Sequence, residues 1–170
     1  MMLPEAFLGT IIDPGIHFLH ALGGPAPSQA IRLNLLAIAL QESGPSLNAR
    51  YQHSPSQTPG PARGFWQFEQ SGGVRGVLTH SASASLARRL CEACSVIAQE
   101  QAVWRALEGH DLLATGFARL LIWTDPYAVP TTENPAWEMY NDRLWRPGKP
   151  HRDAWNTNWA TAEDALQEVA

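Results

Sequence analysis

Glu42 is the residue of this chain that is best placed to do chemistry. Residues 35–43 read Leu-Leu-Ala-Ile-Ala-Leu-Gln-Glu-Ser, and the helix breaker Gly44-Pro45 follows at once. A helix capped by Ser28 puts Glu42 on one stripe with three apolar residues, at steps of four, three and four, so its carboxyl shares the face expected to be buried. The apolar residues of the stripe are Ile31, Leu35 and Ile38.

Two effects are expected to raise the pKa of the Glu42 carboxyl. The C-terminal end of a helix carries partial negative charge, which opposes ionisation, and partial burial disfavours the charged form in the same way. A carboxyl that holds its proton near neutral pH can act as a general acid. The alternative is a glutamate at a frayed helix end that turns out into solvent.

A second candidate segment lies at residues 64–69, which read Gly-Phe-Trp-Gln-Phe-Glu. The alternation predicts a short strand, and the glycine-rich residues 72–76 predict a turn after it. Trp66 offers an aromatic face that could stack on a sugar in a cleft. Most glycosidases use two carboxylates. Glu69, at the end of this strand, is the best placed second carboxylate, and the other candidates are Asp125 and Asp142.

Helical patterns dominate the rest of the chain. A helix begins at Asp13-Pro14, and further helices are predicted over residues 83–107, 112–123 and 134–144, with a last one after Pro150. Residues 44–63 contain four prolines and predict a long surface loop. The expected fold is α+β and mainly α, with one small β-hairpin.

Composition predicts a single domain over residues 1–170, with an N-terminal helix and a proline-rich connector over residues 1–27. A net charge of −4 without clustered cations argues against nucleic acid as a partner. No run reaches the length of a membrane span, and the N-terminus lacks the pattern of a secretory signal. We therefore expect synthesis in the cytoplasm and, for any target outside it, delivery by another component.

The two cysteines, Cys91 and Cys94, make up half a zinc site at most. Helical geometry would strain a disulfide between them, and the six histidines show no metal-ligand spacing. Core or surface thiols are the preferred interpretation, so neither a metal nor another cofactor is predicted.

The Ala-Leu-Gln-Glu-Ser motif at residues 39–43, followed by Gly-Phe-Trp-Gln-Phe at residues 64–68, resembles the lysozyme-like superfamily, in particular lytic transglycosylases and goose-type lysozymes. A wider stretch, residues 36–160, is similar to phage-encoded lysozyme-like proteins. It includes Asp125-Pro126 and the Trp-Arg-Pro-Gly-Lys-Pro run at residues 145–150. The resemblance implies a lysozyme-like helical domain of bacteriophage or prophage origin.

The resemblance also implies cleavage of the β-1,4 bond between N-acetylmuramic acid and N-acetylglucosamine in peptidoglycan. In that reaction Glu42 protonates the glycosidic oxygen, Ser43 helps to fix Glu42, and Gln67 hydrogen-bonds the substrate. The family's Tyr-Asn pair corresponds to Tyr140-Asn141, although the usual Gly or Ala neighbours are replaced here by Met139 and Asp142.

Several alternatives remain open from the sequence. Lytic transglycosylases need only one enzymic carboxyl, because the acetamido group and 6-hydroxyl of the substrate complete the reaction, so hydrolase and transglycosylase are both possible. Chitin shares the chemistry of peptidoglycan. A different class is a non-catalytic phage structural or wall-binding protein that retains the fold. Expected partners are glycan strands, with virion components or a separate holin for delivery.

Overall fold

The computed structural model describes residues 1–52 and 59–169, so residues 53–58 of the predicted loop lie outside the described part. The described residues form a mainly helical fold with one two-stranded antiparallel sheet, which confirms the predicted α+β, mainly α class. The elements in chain order are α1 (Pro4–Phe7), a π-helical segment (Leu8–Ile12), α2 (Asp13–Ala21), α3 (Gln29–Ser43), β1 (Ala62–Arg63), β2 (Phe68–Glu69), a second π-helical segment (Gln70–Val74), α4 (Arg75–Thr79), α5 (Ala84–Ala93), α6 (Glu100–Ala106), α7 (Asp111–Trp123), α8 (Glu133–Trp137), a third π-helical segment (Glu138–Leu144) and α9 (Arg152–Glu168).

Helices α3 and α7 form the centre of the core. The predicted cap of α3 is confirmed, because the Ser28 hydroxyl oxygen accepts a hydrogen bond from the backbone N–H of Ile31 at 3.2 Å. Residues 33–40 of this helix are all buried. Helix α3 packs on α9, and α7 packs on α2. The α2–α7 contact is close, since a Cβ at Gly15 would lie 2.4 Å from the Cβ of Thr115. Only glycine fits at that position.

The predicted helices at α7 and α9 are confirmed. Helix α9 buries Trp155, Trp159 and Ala162 on the expected stripe, while Leu166 is partly buried at its edge. Both helices carry long apolar stripes at helical spacing. Patterns of that length are the most reliable sequence signal for an element.

The strand predicted over residues 64–69 is wrong for most of its length. Strand β2 comprises only its last two residues, and residues 64–67 form a turn in which Gly64 and Gln67 have positive φ angles of 73° and 48°. Phe65 and Trp66 are both buried, an arrangement of consecutive side chains that a strand with one exposed face does not allow. The partner strand β1 lies within residues 44–63, which were predicted to be loop.

Two helix predictions are also wrong in detail. Residues 83–107 form two helices, because α5 ends in a Schellman motif in which Ser95 has a φ of 57° and the Val96 N–H donates to the Cys91 carbonyl oxygen at 2.9 Å. The turn predicted over residues 72–76 is confined to Gly72, whose backbone angles of φ −102° and ψ −105° are not helical, and residues 73–76 are helical. The helix predicted over residues 134–144 starts one residue earlier, after Thr132, and widens into π-helix at Glu138.

Among the described residues, each helix is too short or too polar to pass through a lipid bilayer.

Candidate active site

Glu42 lies in the last turn of α3, where the buried helix reaches the surface of the protein. Gln41 and Glu42 are partly exposed, whereas Leu40 before them and Ser43 after them are buried. The helix stops at Gly44, whose φ of 80° favours glycine and whose N–H donates to the Leu40 carbonyl oxygen at 3.0 Å. The sequence therefore ends the helix just where the carboxyl emerges from the core.

The Glu42 carboxyl has a direct partner in Tyr140. The Tyr140 hydroxyl donates to Glu42 Oε1 at 2.6 Å, across 98 residues of chain. Tyr140 is itself fixed by aromatic packing, because its ring stacks on Trp155 with centroids 5.1 Å apart and an interplanar angle of 8°. Trp137 and Trp145 also contact the Tyr140 ring. The hydrogen bond is thus made by a donor with little freedom to move.

The pKa of Glu42 is raised from 4.5 to about 7. The main cause is desolvation by the surrounding protein, and the negative charge of Glu69 acts in the same direction. The hydrogen bond from Tyr140 works against both, because it stabilises the charged form. Burial raises the pKa of the Tyr140 hydroxyl, and the negative charge of Glu42 and the hydrogen bond to it act in the same direction, so the phenol keeps its proton as a donor. The hydrogen bond from Tyr140 and the partial burial of Glu42 differ from the alternative of a solvated glutamate at a frayed helix end.

Glu42 lines a groove with a volume of about 800 Å³. The hairpin and the following glycines form one wall, which includes Gln67 and Glu69. The last residue of the third π-helical segment and the residues that lead from it to α9 form the other wall. The residues that line this second wall are Leu144, Trp145, Arg146, Pro147, Gly148, Lys149 and His151. Such an open, largely polar groove suits an extended, hydroxyl-rich ligand better than a small apolar one.

Gln67 reaches the groove from a tight turn. Its left-handed φ of 48° is unusual for a non-glycine residue, and its side-chain amide donates to the Gly64 carbonyl oxygen at 2.8 Å. Gly64 is required in this turn, because a Cβ there would lie 2.7 Å from the Leu107 carbonyl oxygen. The turn therefore holds the Gln67 side chain in one orientation at the edge of the groove.

Three predicted site residues lie elsewhere than expected. Trp66 is fully buried and its indole Nε1–H donates to the Leu35 carbonyl oxygen at 2.9 Å, so the prediction that it stacks on sugar is wrong. Ser43 is buried and its hydroxyl donates to the Ala39 carbonyl oxygen at 2.7 Å, within its own helix. Asn141 is not among the groove-lining residues, and its amide donates to Asp142.

The structure separates the three candidates for a second carboxylate. Glu69 lines the groove with Glu42. Asp125 has a side chain only 2% exposed and pairs with Arg143 at 2.8 Å, so its role is structural. Asp142 is exposed and is not among the residues that line the groove. Glu69 is thus the candidate that shares the site.

Sequence reasoning does not single out Lys149 or His151, both of which line the groove. The available signal is the run of residues 145–150, where proline and glycine lie between two helices next to two cations. Within residues 1–52 and 59–169, no three histidine, cysteine or acidic side chains lie in a group that could hold a metal ion. Cys91 is a core thiol, and burial raises its pKa to about 11.

Comparisons with protein-family models, with curated protein sequences and with solved structures give no match. The resemblance to the lysozyme-like superfamily therefore stays a prediction that depends on the motifs alone.

Proposed function

We propose that this chain is a glycosidase that cleaves the β-1,4 bond between N-acetylmuramic acid and N-acetylglucosamine in peptidoglycan, with Glu42 as general acid. The observation that carries the proposal is the Glu42 carboxyl in an open groove with a pKa of about 7. An acid with this pKa is protonated in a large fraction of molecules at neutral pH and still releases its proton readily.

Tyr140 gives the acid a defined geometry. Because its hydroxyl donates to Glu42 Oε1, the proton of the neutral carboxyl resides on Oε2, the oxygen left to face a glycosidic bond. The same hydrogen bond stabilises the carboxylate after proton transfer. Tyr140 is therefore proposed to position Glu42 and to stabilise its charged form. The resemblance to the lysozyme-like superfamily implies a Tyr-Asn pair at the same place in the sequence.

Gln67 and Glu69 supply the opposite wall. Gln67 is proposed to hydrogen-bond the glycan, since its turn fixes the side chain at the groove edge. Glu69 is the one carboxylate besides Glu42 among the groove-lining residues described. Hydrolysis through two carboxylates would use Glu69 to activate water or to form a covalent intermediate. In a transglycosylase reaction the substrate's 6-hydroxyl attacks the anomeric carbon, and Glu42 alone transfers the protons.

The test is mass spectrometry of purified peptidoglycan after incubation with the wild type, Glu42→Gln and Glu69→Gln. Glu163→Gln, an exposed change on α9, is the matched control and should behave as the wild type. We expect soluble muropeptides from the wild type and none from Glu42→Gln. Reducing ends lost with Glu69→Gln would identify a two-carboxylate hydrolase, and 1,6-anhydro ends that persist in that variant would identify a transglycosylase.

The competing proposal is a non-catalytic phage structural or wall-binding protein. It requires no acid in the groove, and a groove filled by side chains would favour it. The open groove beside a carboxyl with a raised pKa supports the enzyme instead. If folded wild-type protein releases no muropeptides from any peptidoglycan tested, the enzymatic proposal is wrong and the competing one is preferred.

A further inference from the structure

The second wall of the groove carries positive charge at fixed positions. We call residues 145–151 the basic loop, after Arg146 and Lys149, which line the groove together with His151. Arg146 has a φ of 48°, a backbone conformation that residues other than glycine adopt at a cost in strain. Its N–H donates to the Tyr140 carbonyl oxygen at 3.3 Å, and its Nε donates to the Asp142 carbonyl oxygen at 3.2 Å. The backbone and the guanidinium are thus both held.

Both ends of the basic loop are tied to the elements that position Glu42. At its start, the Trp145 indole Nε1–H donates to the Trp66 carbonyl oxygen at 2.9 Å, next to Gln67. At its end, the His151 carbonyl oxygen accepts a hydrogen bond from the Gln41 side chain at 3.2 Å, next to Glu42. The loop therefore keeps its place relative to the proposed acid.

The two cations of the basic loop have no acidic partner within the described part of the chain. Six other arginines form ion pairs with Asp or Glu there, but neither Arg146 nor Lys149 does. The only lysine of the sequence is thus placed, unpaired, in the groove wall. The protein as a whole has a net charge of −4, so it would repel an anionic substrate unless local cations attract it.

We propose that Arg146 and Lys149 bind carboxylates attached to the glycan, so that the groove selects a carboxylated glycan over a neutral one. This inference rests on the proposed function and names the residues that select its substrate. A guanidinium binds a carboxylate through two parallel hydrogen bonds, and an ammonium adds a point charge nearby. In peptidoglycan, carboxylates come from the lactyl group of muramic acid or from the peptide stem, whereas chitin has none.

The experiment measures binding without turnover. Full-length Glu42→Gln is titrated calorimetrically, at low salt, with three ligands of equal length: a chitin tetrasaccharide, a peptide-free muramic tetrasaccharide and the same tetrasaccharide with its peptide stems. Titrations are repeated after adding Arg146→Gln, Lys149→Gln or both. Arg88→Gln is the matched control, because Arg88 is an exposed arginine outside the groove lining.

We expect tighter binding of the carboxylated ligands. The preference over chitin should fall about threefold with each single substitution and about tenfold with both, the scale of partly exposed charge pairs, and should not change with Arg88→Gln. If the peptide-free ligand already shows the full preference, the bound carboxylate is that of the lactyl group. If the preference appears only with the peptide stems, the bound carboxylate belongs to the peptide.

Equal binding of all three ligands, no binding of any, or a preference that survives the double substitution would each overturn the inference. Its failure is distinguishable from that of the proposed function. The wild type could release no muropeptides while the preference for carboxylated ligands still depended on the basic loop. In that case the proposed role of the loop would stand and the proposed enzymatic activity would be rejected.

Discussion

Glu42→Gln is expected to stabilise the protein at alkaline pH while it removes the proposed acid. Below pH 4.5 the carboxyl is protonated in both the folded and the unfolded chain, so it makes no difference between them. Between pH 4.5 and about 7 the unfolded chain ionises first, and the folded state loses stability as pH rises. Above about pH 7 the full loss of folding stability is reached, because the buried carboxylate lacks the solvation that it has in the unfolded chain.

The magnitude follows from the two pKa values. A rise from 4.5 to about 7 corresponds to roughly 3 kcal/mol at about 1.4 kcal/mol for each tenfold change. Because Glu42 is partly exposed, we expect roughly 2 kcal/mol after solvent screening. Glutamine is nearly isosteric, has no charge to desolvate, and offers a carbonyl oxygen to the Tyr140 hydroxyl. The stability difference between variant and wild type therefore isolates this one ionisation.

The assay is urea unfolding of wild type and Glu42→Gln at pH 4.5 and at pH 8, followed by circular dichroism. We expect nearly equal unfolding free energies at the lower pH and a more stable variant at the higher pH. Glu163→Gln, whose carboxyl is exposed, should show little difference at either pH. A Glu42→Gln difference that does not change between the two pH values would refute the raised pKa and, with it, the desolvated site.

Two further predictions concern Tyr140 and the α2–α7 contact. Tyr140→Phe removes the hydrogen bond that lowers the pKa of Glu42, so the alkaline limb of kcat/KM should move to higher pH; a limb that stays in place would show that Tyr140 does not act on the acid. Gly15→Ala should destabilise the protein by about 1–3 kcal/mol in urea unfolding, because the added Cβ meets Thr115. Gly76→Ala in α4, with nothing within 4 Å of the added Cβ, is its control, and equal effects of the two would contradict the close packing.

The helix that carries Glu42 could be predicted because its signals are local. The Ser28 cap, the apolar stripe and the Gly44 stop lie within one short segment, and each acts on neighbouring backbone. The turn at residues 64–67 could not be predicted, because its alternation is typical of a strand, whereas packing against α1 and α3 buries two consecutive aromatic side chains. Tertiary contacts decided that segment against the local pattern.

The remaining parts of the site depend on contacts between distant residues. The Tyr140–Glu42 pair spans 98 positions and the Trp145–Trp66 pair spans 79, so no window of sequence contains either one. The family resemblance suggested the first pair, but nothing suggested the second. The groove wall that contains Lys149 was missed for the same reason, because its relation to Glu42 exists only after folding.

Trp66 connects three parts of the chain, although it touches no ligand site itself. Its indole donates to the Leu35 carbonyl oxygen in α3, and its own carbonyl oxygen accepts the Trp145 indole N–H, both at 2.9 Å. One buried residue thereby joins, by hydrogen bonds, the helix that carries Glu42, the hairpin wall and the basic loop. In the proposed function, a glycan would meet two walls whose spacing exists before it binds, so little of its binding energy would be consumed in ordering them. Association should accordingly follow a single kinetic phase, without a slow closing step after encounter.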